Sequence, residues 1–145
     1  MNDINLQEIR EFFKRDTYAV LTGLEIESVT PDEVRVSMKI TGAHYNAAGG
    51  VQGGAIFTLA DLAFAVHSNL PAVLGEDVGV VVGQSCSVSY LKGTRGAVLY
   101  AKTKLLHRGK SVCVIQVSIT DDLGVSIAEV LCNGSVTAKK ASGLR

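Results

Sequence analysis

Between residues 46 and 64 the chain reads NAAGGVQGGAIFTLADLAF, with glycines at 49, 50, 53 and 54 ahead of a long apolar stretch and one carboxylate, Asp61, within it. The start of a helix leaves several backbone N–H groups unpaired and carries about half a unit of positive charge, which suits an anion or an oxyanion forming during reaction. Glycines at 53 and 54 let a ligand approach those N–H groups closely; a tight turn with close helix packing is the plainer use of the same residues. Asp61 lies among Phe57, Leu62, Phe64 and Ala65, where a carboxylate is costly to bury unless paired, and such acids concentrate at reactive sites. A structurally paired or exposed acid is the alternative. An unpaired Asp61 could activate water or attack a carbonyl itself, and the sequence leaves both open.

Other residues suit supporting roles. Gln52 immediately precedes the glycine doublet and carries an amide donor, and Asn46 either orients reacting groups or closes an Asx turn in the loop. Arg108, Gly109 and Lys110 form a turn in which two cations beside a glycine N–H suit phosphates, or simply make a solvated hairpin tip. The run GKS at 109 to 111 imitates the end of a nucleotide-binding loop, but Lys104 stands where the first glycine is needed and a strand follows. The glycine doublets likewise fail as a dinucleotide fingerprint, because no βαβ unit surrounds them.

Several elements must position these residues. Asn5 to Glu8 has the form of a capping box, which predicts a short helix over 5 to 14. LEIESV and VRVSMKI flank Thr30-Pro31-Asp32-Glu33, and Val34, Val36, Met38 and Ile40 alternate with polar residues, which predicts a hairpin with one wet face. From Gly53 to about Leu70 the chain is apolar nearly all round, too long for a strand, and reads as a helix buried on most sides. After Val78 come four strand-like segments separated by KGTRG, RGK and DDLG, connectors that imply antiparallel neighbours. About six strands and one helix that needs covering predict an α+β fold, a long antiparallel sheet around a central helix.

Composition excludes several function classes. The 145 residues carry 14 basic and 14 acidic side chains, without the basic patch of a nucleic-acid binder. One domain over 1–145 accommodates this length. Cys86, Cys113 and Cys132 are widely spaced in strand-like segments, and with scattered histidines they predict reduced core cysteines and no metal site. The polar N-terminus is unlike a signal peptide and no apolar run is expected to reach the length of a membrane span, so the expectation is a cytoplasmic protein without a membrane partner.

The order of elements resembles the hotdog fold. Asn46, Gly49, Gln52-Gly53-Gly54 and Asp61 resemble the N-x-x-G-x-x-(H/Q)-G-G-x(6)-D motif of the acyl-CoA thioesterases of the phenylacetate-degradation, PaaI-like, branch of the 4-hydroxybenzoyl-CoA thioesterase superfamily. SVSYLKG, HRGK and TDDLGVSIAE agree with that branch, and the resemblance spans roughly residues 20 to 137. It implies a thioesterase acting on an aryl or medium-chain acyl-CoA, with Asp61, Gly53, Gln52 and Asn46 catalytic and Gly54, Tyr90, Arg108, Gly109 and Lys110 on the coenzyme A portion. It also implies no cofactor beyond the coenzyme A of the substrate, and a homodimer that often pairs into a tetramer. The chain departs from the branch at Gln52, where many members have His, at Ala65, where some have Ser or Thr, and near Gly83, where some have a polar residue. The rival readings are a hotdog hydratase, whose catalytic His has no counterpart here, and a non-catalytic acyl-CoA sensor.

Overall fold

The computed structural model describes residues 3–141. Asn5 caps the first helix, α1 (Leu6–Phe13), its side chain accepting from the Gln7 and Glu8 N–H groups. A second short helix, α2 (Thr17–Thr22), was not expected. Asp16 caps it by accepting from the Ala19 N–H at 3.0 Å, and Gly23, at φ 83°, closes it in the left-handed conformation. The hairpin follows as β1 (Leu24–Val29) and β2 (Val34–Lys39). Val34, Val36 and Met38 are fully buried, so the alternation does mark the core face.

The central helix, α3 (Gly53–Val73), runs past Leu70 and through Pro71. It is long and apolar enough to cross a membrane by length and composition, which corrects the expectation that no apolar run reaches that length; most of it is buried against the rest of the chain. Four long strands complete the fold: β3 (Val81–Tyr90), β4 (Val98–Arg108), β5 (Val112–Asp121) and β6 (Ser126–Val136). All pairings are antiparallel, in the order β1-β2-β4-β5-β6-β3.

RGK and DDLG do join neighbouring strands, but KGTRG does not, since β3 pairs with β6 while β4 lies between β2 and β5. Side chains of the β5–β6 turn hold this crossing loop. Thr94 donates to Asp121 at 2.6 Å and the Ala97 N–H donates to Asp122 at 3.0 Å. Asp121 also accepts from the Leu123 and Val125 N–H groups, bonds that hold its carboxyl below the usual carboxylate range together with the Thr94 hydroxyl, which has the largest effect.

The sheet curves around one side of α3. Leu59, Ala60, Ala63 and Val66 of the helix meet Leu99, Ala101, Ile115, Val117, Ile119 and Ala128 of the strands in a single core with zero exposure. One close approach bears on the seating of Phe64. A Cβ at Gly134 would lie 2.8 Å from its ring, whereas one at Gly83 would make ordinary contact at 3.8 Å.

Candidate active site at the start of the central helix

A loop of short range builds the site's floor. The Asn46 side-chain oxygen accepts from the Ala48 and Gly50 N–H groups at 3.0 and 3.1 Å, while Asn46 and Gly50 bond through their backbones at 2.8 Å. Asn46 therefore closes the turn with its carbonyl oxygen and leaves its amide NH2 as the group it can offer to a ligand. Gly49, at φ 83°, supplies the left-handed residue this turn requires. The Gln52 N–H donates to the His44 carbonyl at 2.7 Å and fixes where α3 begins.

Gln52 is the N-cap of α3, but its side chain makes no capping bond and stands exposed. The Gly53 and Gly54 N–H groups have no backbone or side-chain acceptor among the described residues, whereas Ala55 and Ile56 turn back to the Gln52 carbonyl. Two unpaired donors and a free side-chain amide thus converge at the positive end of a 21-residue helix.

Tyr90 stands at the end of β3 against this point. Its hydroxyl donates to the Gly53 carbonyl at 2.9 Å, and its ring lies over Gly53. That hydroxyl is committed to the helix start, so Tyr90 positions Gly53. Lys92 and Arg95, both exposed, follow Tyr90 in the loop. The sequence reading passed over these two cations because nothing short of the Tyr90–Gly53 contact shows that their loop begins at the helix start.

Asp61 is exposed on the single chain and has no hydrogen-bond partner among the described residues. The apolar surroundings of its base raise its pKa, and the negative charge of Asp16 raises it further. At about 1.5 Å per residue, the eight residues separating it from Gly53 place the two about 12 Å apart on α3.

The Arg108–Lys110 turn is only partly available. Arg108 donates through Nη1 to the Ser68 carbonyl of α3 at 2.5 Å, and the Gly109 N–H donates to the Val112 carbonyl at 2.8 Å. This corrects the expectation of a glycine N–H free for phosphate, because the hairpin itself takes that donor. Lys110 is exposed, and the turn lines a cleft of about 680 Å³ together with Thr137 and Lys140.

Two of the three histidines are structural. His44 is buried, with Nε2 donating to the Thr22 carbonyl at 2.7 Å and Nδ1 accepting from the Thr41 N–H at 3.0 Å. His67 is buried between the Pro31 carbonyl and the Thr103 hydroxyl. Among the described residues no group of three or more His, Cys, Asp or Glu is placed to hold a metal ion.

Six antiparallel strands around one long helix, with an open donor pair at the helix start, define a hotdog-fold protein with a candidate oxyanion site. The fold is matched by the E. coli PaaI structure, with a TM-score of 0.82 at 23% identity over 92% of this chain and 94% of that one. A Haemophilus influenzae thioesterase matches it with a TM-score of 0.83 at 18% identity over 94% and 92%. In sequence, residues 10–136 match the family model described as a domain of unknown function, DUF4442, and the chain belongs to that family. It is also 27% identical over 123 residues to the acyl-coenzyme A thioesterase PaaI of E. coli K12, covering 84% of each chain. A hypothetical thioesterase from Streptococcus pneumoniae, solved with coenzyme A, is 26% identical over 88% of this chain and 98% of that one, with a TM-score of 0.75.

Proposed function

We propose that this protein hydrolyses an acyl-CoA thioester to the free acid and coenzyme A. The observation that carries the reading is the pair of unpartnered N–H groups at Gly53 and Gly54, on the same helix as the unpartnered Asp61. Similarity to PaaI along most of the chain supports the substrate class. The thioester carbonyl would point at the helix start, where charge developing on its oxygen meets the N–H donors, and one preorganised donor of this kind contributes about 3 to 4 kcal/mol to the transition state. Gln52 adds a side-chain amide, and the Asn46 NH2 orients the acyl group or the water. Asp61 takes a proton from the attacking water, or attacks the carbonyl itself, and the coenzyme A sulfur leaves with the electrons of the broken C–S bond.

One thioester carbon cannot reach Gly53 and Asp61 of the same helix across about 12 Å. The proposed working unit is therefore a dimer with its two α3 helices antiparallel, which brings Gly53 of one copy to Asp61 of the other and repeats the site by symmetry. The free edge of β3 at the end of the sheet supports this pairing, since an open edge is a template for another strand. Lys110 and the remaining donors of Arg108 are proposed to hold the coenzyme A phosphates, with Lys92 and Arg95 as additional cations. The acyl group would be aryl or medium-chain.

The test is turnover of a panel of acyl-CoA substrates by wild type and Asp61→Asn. Wild type should release free thiol, and the variant, which keeps the shape and removes the base, should lose about a hundredfold or more in kcat. Tight acyl-CoA binding without turnover by the wild type would replace the enzyme reading with that of a sensor. Sedimentation equilibrium is expected to give at least twice the chain mass.

A further inference from the structure

β3 and β6 run antiparallel with Cys86 directly facing Cys132. Residues opposed in this way share a face and hold their Cβ atoms about 4.5 to 5.5 Å apart. A disulfide requires Cα atoms about 4.4 to 6.8 Å apart, so only a small adjustment separates this pair from a bond. The third cysteine is placed differently. Cys113 faces Gly134 on one side and Arg108 on the other, with no thiol opposite it.

The two partners differ in access. Cys86 lies half-buried on the edge strand, whereas Cys132 is fully buried in the core. Burial pushes the Cys132 thiol up, followed by the neighbouring Cys86 thiol and then the Asp61 carboxylate, so the pair lies within reach of the charge on the candidate catalytic residue.

We propose that Cys86 and Cys132 form an oxidisable dithiol that closes to an intrachain disulfide when a small-molecule disulfide reaches it. Cys86, the more accessible, attacks one sulfur of the oxidant RSSR as a thiolate, forming a mixed disulfide and releasing RS⁻. Cys132 then loses its proton and attacks the Cys86 sulfur, closing the intrachain bond and releasing a second RS⁻. The two thiol protons end on the two leaving thiolates, so the pair gives up two electrons and the oxidant leaves as two RSH. Burial keeps Cys132 protonated, which makes the second displacement the slow one. The bond would fasten the edge strand that ends at Tyr90 to the strand beside it.

The test uses the full chain and glutathione disulfide. Protein is incubated, quenched in acid and unfolded, and its thiols are counted by a maleimide mass tag. The three cysteines should fall to one taggable thiol, without a retained glutathione and without a covalent dimer on a non-reducing gel, and dithiothreitol should restore all three. Cys113→Ala should fall from two to none, and Cys86→Ser should keep both of its thiols. Peptide mapping should link residues 86 and 132. Three thiols persisting in the wild type, a stable glutathione adduct, a linkage through Cys113, or a covalent dimer would each overturn the proposal.

Discussion

The Tyr90 hydroxyl donates to the Gly53 carbonyl at 2.9 Å, and the same ring stands where a side chain on residue 53 would begin: a Cβ there would lie 3.1 Å from it. A side chain at residue 53 would therefore need the Tyr90 ring to give way by a few tenths of an ångström. Removing the hydroxyl in Tyr90→Phe takes away one hydrogen bond, about 0.5 to 1.5 kcal/mol, and is expected to lower kcat/KM by about three- to tenfold. Steady-state kinetics beside a melting curve checks this: a fall in stability with unchanged kcat/KM would make the contact purely structural.

With Asp61 as the proposed base, its raised pKa predicts a pH dependence of turnover. A base works in its deprotonated form, so activity should fail as pH drops through the raised value, above the ordinary carboxylate pKa of about 3.9. Burial is the main cause and the charge of Asp16 the second. Asp16→Asn removes the charge while Asn still caps α2. Its pH–rate profile should have the acid limb displaced to lower pH, and an unmoved limb would show that Asp16 does not tune the base.

Arg108 and Lys110 sit in the same turn but should respond differently to substitution. Arg108 ties β4 to the Ser68 carbonyl, and Arg108→Ala should cost about 1 to 2 kcal/mol of stability by denaturant unfolding. Lys110→Ala should leave stability unchanged and raise KM for acyl-CoA, with little effect on a short thioester lacking the nucleotide. An equal change on both substrates would remove Lys110 from phosphate binding.

His67 supplies a pH dependence of stability. Burial holds its pKa below the ordinary histidine value of about 6.5 despite the opposing influence of the Pro31 carbonyl and of Asp32, and the positive charge of Arg108 lowers it further. The unfolded chain therefore takes up the proton first as pH falls below about 6.5, and stability drops until the lower folded pKa is passed. Urea midpoints at about pH 7.5 and 5.5 should differ more for wild type than for His67→Asn.

The hairpin and the central helix were legible because burial imposed period and length on them. Val34, Val36 and Met38 alternate as a strand must, and the stretch after Gly53 had no wet face broad enough for a surface helix. The partner of β3 was not legible. KGTRG has the composition of a turn, but composition does not say whether a chain folds back or crosses to another strand. α2 escaped because six residues with exposed Tyr18, Val20 and Leu21 carry no clear period, although Asp16 and Gly23 were available as its cap and its stop. The residue types at 46, 52, 53 and 61 are what pointed to the candidate site. That the Gly109 N–H is taken and Tyr90 grips Gly53 depended on pairings formed between distant segments.

The place of β3 in the sheet also sets an order of assembly. β1, β2, β4 and β5 can pair successively as they leave the ribosome, but β3 must wait for β6, the last strand made. Until residues 126–136 arrive, β3 packs on α3 but has no strand to pair with, so Tyr90 stands beside Gly53 without that support. A chain ended after Asp121 would keep Asn46, Gln52, Gly53, Asp61 and Tyr90 yet leave β3 without that partner. The candidate site is therefore braced by the last of the six strands, which contributes none of those five residues.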